Sequence, residues 1–259
     1  MTWLDAEDRG PTRWLTIDRP DRKNAIPFDG WSELASVFEI FEQSEQRVLV
    51  ITGAGGDFCA GADLDPSRID SMQSVEDRHA RMKVVGAAAL ALHRLTKPSI
   101  AGVDGVAVGA GLNLALGCDV VVATNRARFS EIFVRRGLTV DFGGSWLLPR
   151  IVGLQRAKEM ALSGRMVHAE EALRIGLVTE VVDVDALQDR VTEIATGFLA
   201  GAPVAQMFVK QTLNSAFQAS LADALAWEGE AQSIALGTED AAEGLLAFLE
   251  KRDPEWKGR

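Results

Sequence analysis

Apolar residues along this chain fall into two kinds of pattern, and the two alternate. Residues 13–18, RWLTID, form a short apolar run that ends in the turn-forming RPDRKN, which predicts a strand. From Phe28 to Gln43 the residues Trp31, Leu34, Ala35, Phe38 and Phe41 recur at helical spacing. RVLVIT, residues 47–52, is a β-branched run suited to a buried strand. A helical pattern returns over 76–95 and stops before Lys97–Pro98, because proline disfavours helical backbone in the residue before it. SIAGV is the next predicted strand, Asp104–Gly105 a turn, VAVGAGLNLALG a small-residue segment that can become a helix, and CDVVVAT a further strand. AEEALRIGLVTEVV, residues 169–182, reads as helix, glycine C-cap and strand. Beyond about residue 185 only helical patterns remain, broken near Gly201-Ala202-Pro203 and Gly237. Strand and helix alternating in this way predict a layered α/β core, followed by a helical end.

Composition narrows the class. At 259 residues the chain has ample length for one large domain, or one domain with an appendage. A net charge of −10 gives no support to nucleic-acid binding, yet leaves room for an anionic small molecule held by a few local cations and helix N-termini. Cys59 and Cys118 are too few to staple a fold of this size and sit among small apolar residues, which predicts buried thiols in a reducing compartment. No signal-peptide pattern opens the chain and no apolar stretch reaches membrane-spanning length, so a cytoplasmic protein without a membrane span is expected.

Four stretches carry candidate chemistry. GAGGDF begins like a dinucleotide-binding turn, but Phe58 stands where the third glycine belongs and no helical pattern follows at once. In FCAGADL, residues 58–64, small residues flank Gly61, so the backbone can approach a ligand and point N–H groups at it; a tight turn packed on the core would use the same residues. Gly109, Ala110 and Gly111 open a helix, where the first N–H groups lack intrahelical partners and can hold an oxyanion developing on a substrate. Asp141 lies between Val140 and Phe142 and runs into Gly143–Gly144, which makes it either a turn cap or a base kept from water. The histidines, His79, His93 and His168, show no spacing with carboxylates that suggests a metal site, and Ser145 lacks the G-x-S-x-G surroundings of a nucleophile.

FCAGADL, KPSIAGVDGVAVGAGLNLALGCDVVVA and RFSEIFVRRGLTVDFGGSWLLPRIVG, in that order and spacing, resemble the crotonase (enoyl-CoA hydratase/isomerase) superfamily. The resemblance extends from RPDRKNAI to FLEKRDPEWKG, nearly the whole chain. It implies an α/β fold in which ββα turns repeat as a spiral core over residues 1–197, with 198–259 a helical region that joins subunits into a homotrimer or a dimer of trimers. It also implies an acyl-CoA thioester as substrate, with no metal or redox cofactor. In the family two backbone N–H groups grip the thioester oxygen as it becomes an enolate; by motif they belong to Ala62 and Ala110. Lys23, Ala25, Ala60, Asp63 and Leu64 correspond to the adenine–pantetheine route, and Lys251 to a phosphate contact that can serve a neighbouring subunit.

One departure shapes the expected reaction. Family hydratases carry two glutamates, at positions that are Asn113 and Phe133 here. Neutral Asn113 can orient a water but cannot take its proton near pH 7, and Phe133 can do neither. Asp141 instead matches an aspartate of some isomerases, and the chain particularly resembles the ring-1,2-epoxyphenylacetyl-CoA isomerase type. One carboxylate suffices for a 1,3-proton shift, and its apolar neighbours should raise its pKa. Glu131 and Glu159 are the rival bases: Glu131 is expected to share a strand face with Phe133, and Glu159 to sit on a solvated helix. Val140 stands where relatives commonly have proline, which predicts a looser loop around Asp141. The acyl pocket is expected from residues 66–85, with Phe133, Phe142 and Trp146 suiting a bulky or cyclic group. The favoured reading is isomerisation of an unsaturated acyl-CoA; a hydratase using other residues and a non-catalytic CoA-thioester binder are the alternatives.

Overall fold

The computed structural model describes residues 3–64 and 74–259. Most of residues 66–85, expected to shape the acyl pocket, can be placed only from Ser74 onward; the part before it lies outside the described residues. Strand β1 (Leu4–Arg9) pairs antiparallel with β2 (Thr12–Ile17). Helix α1 (Gly30–Gln43) follows and buries Trp31, Leu34, Phe38 and Phe41 on one stripe. Strand β3 (Val48–Gly53), helix α2 (Val75–His93) and strand β4 (Ser99–Val103) come next. Ser74 and Asp77 close a capping box at the start of α2, satisfying two backbone donors there.

The segment read as one small-residue unit divides into strand β5 (Val106–Val108) and helix α3 (Ala110–Leu116). Beyond it lie β6 (Val120–Thr124), β7 (Arg128–Ser130), α4 (Gly144–Val152), α5 (Leu154–Ser163), β8 (Val167–His168), α6 (Ala169–Arg174) and β9 (Glu180–Val182). Six strands form a sheet in the order β1-β2-β3-β4-β6-β9, parallel from β2 onward, and β5-β7-β8 form a second sheet of three. Parallel strands need both faces covered. One face of the large sheet packs on α1 and α2, and helix α7 (Leu187–Leu199) covers the other by setting Val191 and Ala195 against Trp14, Val48, Val50, Ile100 and Val122.

Helices α8 (Pro203–Ser215), α9 (Leu221–Leu236) and α10 (Glu239–Glu250) end the chain. Residues 197 and 198 both lie inside α7, and residues 200–202 link it to α8. Among the described residues no helix is long and apolar enough to cross a membrane. Both cysteines are free and buried, and burial pushes each thiol up to about 12.

Candidate active site

The first part of the site is a backbone clamp. Cys59 N donates to Val106 O at 2.9 Å and Val108 N to Cys59 O at 3.1 Å, which fastens FCAGADL to β5. On the other side Ile26 N donates to Gly61 O at 2.8 Å and Asp63 N to Ile26 O at 2.9 Å. This pairing leaves the Ala62 N–H without a backbone acceptor among the described residues, and the Ala110 N–H, first in α3, is in the same condition. A Cβ placed on Gly61 would lie 3.4 Å from Ala110 N, so the two segments touch. Gly109 enters the helix at φ 57 and ψ −131, a backbone state that a side chain strongly disfavours. The Phe133 ring lies 3.5 Å from where a Gly109 Cβ would stand, so the position of a hydratase glutamate is filled here by an apolar wall against the turn.

Asp141 is the second part. It sits in the turn that feeds α4, half-buried, and its Oδ1 is enclosed without a hydrogen-bond partner. Burial alone raises its pKa to about 6, the direction its apolar neighbours imply. Phe142 follows with φ 48, left-handed backbone that costs a bulky residue on the order of 1–3 kcal/mol. Its ring is buried against Trp31, centroids 5.4 Å apart, which offsets that cost and fixes the turn. The expected looseness from Val140 is countered by a different restraint. The Asp141 carbonyl accepts from Asn113 Nδ2 at 2.9 Å and from Gly144 N at 3.0 Å.

Asn113 is therefore a tether rather than a water-orienting group on the surface of the site. It is fully buried in α3, and its amide fills the space that a Gly144 side chain would need. The sequence held a signal for this: one amide in the otherwise apolar AGLNLAL requires a partner once buried. The same Nδ2 lies 3.5 Å from Glu131 Oε2. Glu131 is fully buried, its Oε1 is also without a partner, and desolvation pushes its pKa up to about 8, with the charge of Asp141 adding to the rise. The strand ends at Ser130, however, and Ile132–Arg136 forms a 3-10 turn, so Glu131 and Phe133 do not share a strand face. Glu159 is exposed and paired with Arg165 at 2.6 Å, which holds its carboxyl below the usual range and removes it from the site.

Five residues assigned to the CoA route are brought together in one seam. Ala60 N donates to Lys23 O at 2.9 Å, and Arg19 joins Ala25 O at 2.7 Å to the Asp63 carboxylate at 2.9 Å. Leu64 is exposed at the end of this seam, and Lys23 lies 3.6 Å from Asp57 with its ammonium open to solvent. Lys251 caps the far end of α10 and makes no contact with the seam among the described residues. Beside Asp141 a cavity of about 480 Å³ is lined by Leu90, His93, Phe142, Trp146 and Leu147 among others. Phe142 and Trp146 line this cavity, whereas Phe133, Ala62, Ala110 and Asp141 are not among the lining residues.

The chain as a whole has counterparts among known proteins. A model of the enoyl-CoA hydratase/isomerase family matches residues 13–259. This chain belongs to that family. It is 38% identical over 252 residues to a short-chain-enoyl-CoA hydratase of Clostridium acetobutylicum, covering 96% of this chain and 95% of the relative. It is 37% identical over 247 residues to the 1,2-epoxyphenylacetyl-CoA isomerase of Escherichia coli, covering 95% and 94%. Among solved structures, an enoyl-CoA hydratase/isomerase from Cupriavidus metallidurans superposes with a TM-score of 0.91 at 37% identity, over 100% of this chain and 97% of the other. The family fold and its helical C-terminal region are those of the crotonase superfamily, and the protein is an acyl-CoA enzyme of this family.

Proposed function

We propose that the protein isomerises an unsaturated acyl-CoA thioester through an enolate, with Asp141 as the only base. The observation that carries this reading is the enclosed Oδ1 of Asp141, without a hydrogen-bond partner, in a carboxyl that burial raises to about 6. Such a carboxylate is ionised at neutral pH and, being poorly solvated, is a stronger base than an aspartate in water. It takes the proton from the α-carbon, and the negative charge moves to the thioester oxygen. The Ala62 and Ala110 N–H groups donate to that oxygen, and losing one such donor costs on the order of 2.7–4 kcal/mol of barrier. Asp141, now neutral, returns its proton to the γ-carbon, so the double bond moves into conjugation and no water is added. The CoA carried by the substrate is the only coenzyme the reading requires, with the seam from Lys23 to Leu64 along its pantetheine and Lys251 toward a phosphate.

The relative named as a hydratase supports a second reading, in which water adds across the double bond. One time course separates the two. The protein is mixed with a 3-enoyl-CoA in heavy water and followed by ultraviolet absorbance and mass. A conjugated-thioester absorbance at constant acyl mass, apart from deuterium, supports isomerisation; a water adduct supports the hydratase. Asp141→Asn should then lower the rate by about 10²–10⁴-fold while CoA-thioester binding persists. Activity that survives the change assigns the base elsewhere.

A further inference from the structure

Glu131 is a buried carboxyl that the proposed reaction does not use. It stands between β7 and the 3-10 turn Ile132–Arg136, with no exposed surface, and its one side-chain hydrogen-bond partner among the described residues is Asn113, at a long 3.5 Å. Among the described residues no cation pairs with it. Arg135 and Arg136 on its own turn are exposed and spend their guanidinium groups on the Ser163 and Arg135 carbonyls. On α5, Arg156, Lys158 and Glu159 face solvent, and on β7 so does Arg128. Arg150 of α4 lies over the Trp146 ring, and α3 offers only the neutral Asn113. Among the described residues, the charge that bears on Glu131 is Asp141, which is of like sign.

We propose that Glu131 is a positioning residue held as the undissociated acid: through Asn113 it supports the Asp141 turn, and it leaves Asp141 the single anion beside the oxyanion site. This rests on Asp141 being the base.

Three unpartnered buried atoms support it together. With Glu131 ionised, Asn113 Oδ1, Glu131 Oε1 and Asp141 Oδ1 are all acceptors lacking donors. A proton on Glu131 converts one acceptor of the touching Asn113–Glu131 pair into a donor, and the amide then bridges an acid and the Asp141 carbonyl. Like charges in one water-poor site oppose each other's ionisation, and a proton is kept most firmly by the carboxyl with less access to water. Glu131 has none, whereas Asp141 keeps some exposed surface. The order of titration agrees, about 6 for Asp141 and about 8 for Glu131. The chemistry gains from this arrangement, since an enolate forming beside a second buried anion would be repelled by it. When Glu131 loses its proton the rate should therefore fall.

The test reads the proton directly and then its consequence. Infrared spectra of the ligand-free protein at pH 7 should show a carboxylic-acid carbonyl band that shifts on labelling with ¹³C-glutamate, fades as pH rises through about 8 and is absent in Glu131→Gln. The same band should persist in Asp141→Asn. In rate profiles against pH, the wild-type protein should show an alkaline fall that Glu131→Gln lacks, whatever the variant does to the plateau. Absence of the glutamate band at pH 7, or an alkaline fall unchanged in Glu131→Gln, overturns the proposal; a merely structural residue would give that second result. If Glu131→Gln does not fold, the labelled wild-type titration still decides the protonation. Turnover that survives in Asp141→Asn refutes the base assignment by itself, and with it the claim that Glu131 serves that base, while the band reports on the proton of Glu131 independently.

Discussion

At the scale of single residues, the site depends on how burial treats two carboxyl groups. As the proposed base, Asp141 must be ionised to accept a proton, so kcat/KM should rise with pH through about 6, an acid limb that its pH profile would show. Glu131 has the opposite preference, and this carries over to stability. Its folded pKa of about 8 lies above its ordinary 4.5, so the folded state binds more protons and stability is lost as pH rises toward 8. His93, lowered by burial, opposes this trend only below about its ordinary 6.5, which leaves pH 6.5–8 as the clean window. There the wild-type protein should lose up to about 1.4 kcal/mol per pH unit, and Glu131→Gln should flatten the slope in thermal melts. Asp141 was legible in the sequence because a charge among apolar residues before two glycines is conspicuous. The tether was less so, because Asn113 finds its acceptor 28 positions away and only the fold brings them together. Glu131 was visible as a carboxylate, but a strand pattern continued through it where the chain in fact turns.

At the scale of elements, the join between α3 and α4 sets the position of Asp141, the proposed base. Gly144 has no room for a methyl group because the Asn113 amide occupies that space. Gly144→Ala should destabilise the protein by about 1–3 kcal/mol and lower kcat as the Asp141 turn shifts, readable by melting and steady-state kinetics. Gly197, exposed on α7 with open space where its Cβ would be, is the control: Gly197→Ala should stabilise by about 0.5–1 kcal/mol and leave kcat alone. Elements with a strong apolar period, such as α1 and β3, were legible from pattern alone. Strand β1 was not, because an edge strand that buries only Leu4 shows no alternation. The division of VAVGAGLNLALG into strand and helix was equally hidden, since small residues satisfy either period.

At the scale of the whole molecule, the helical end leaves apolar surface uncovered. Phe217, Leu221, Leu245, Phe248 and Leu249 are each more than half exposed, a number of large apolar side chains that association would cover. We expect a trimer or a larger assembly in sedimentation, and paired Phe248→Glu and Leu249→Glu changes should shift it toward monomer. Whether Lys251 meets a substrate phosphate would then depend on the neighbour, because within one chain it stands apart from the Lys23 seam. The tether between Asn113 and Asp141 also limits which descendants this protein can have. A glutamate at 113 would remove the donor from the Asp141 carbonyl and set a third carboxylate against Glu131. That step is closed to a single substitution, so a lineage with this site stays committed to one aspartate unless Glu131 changes first.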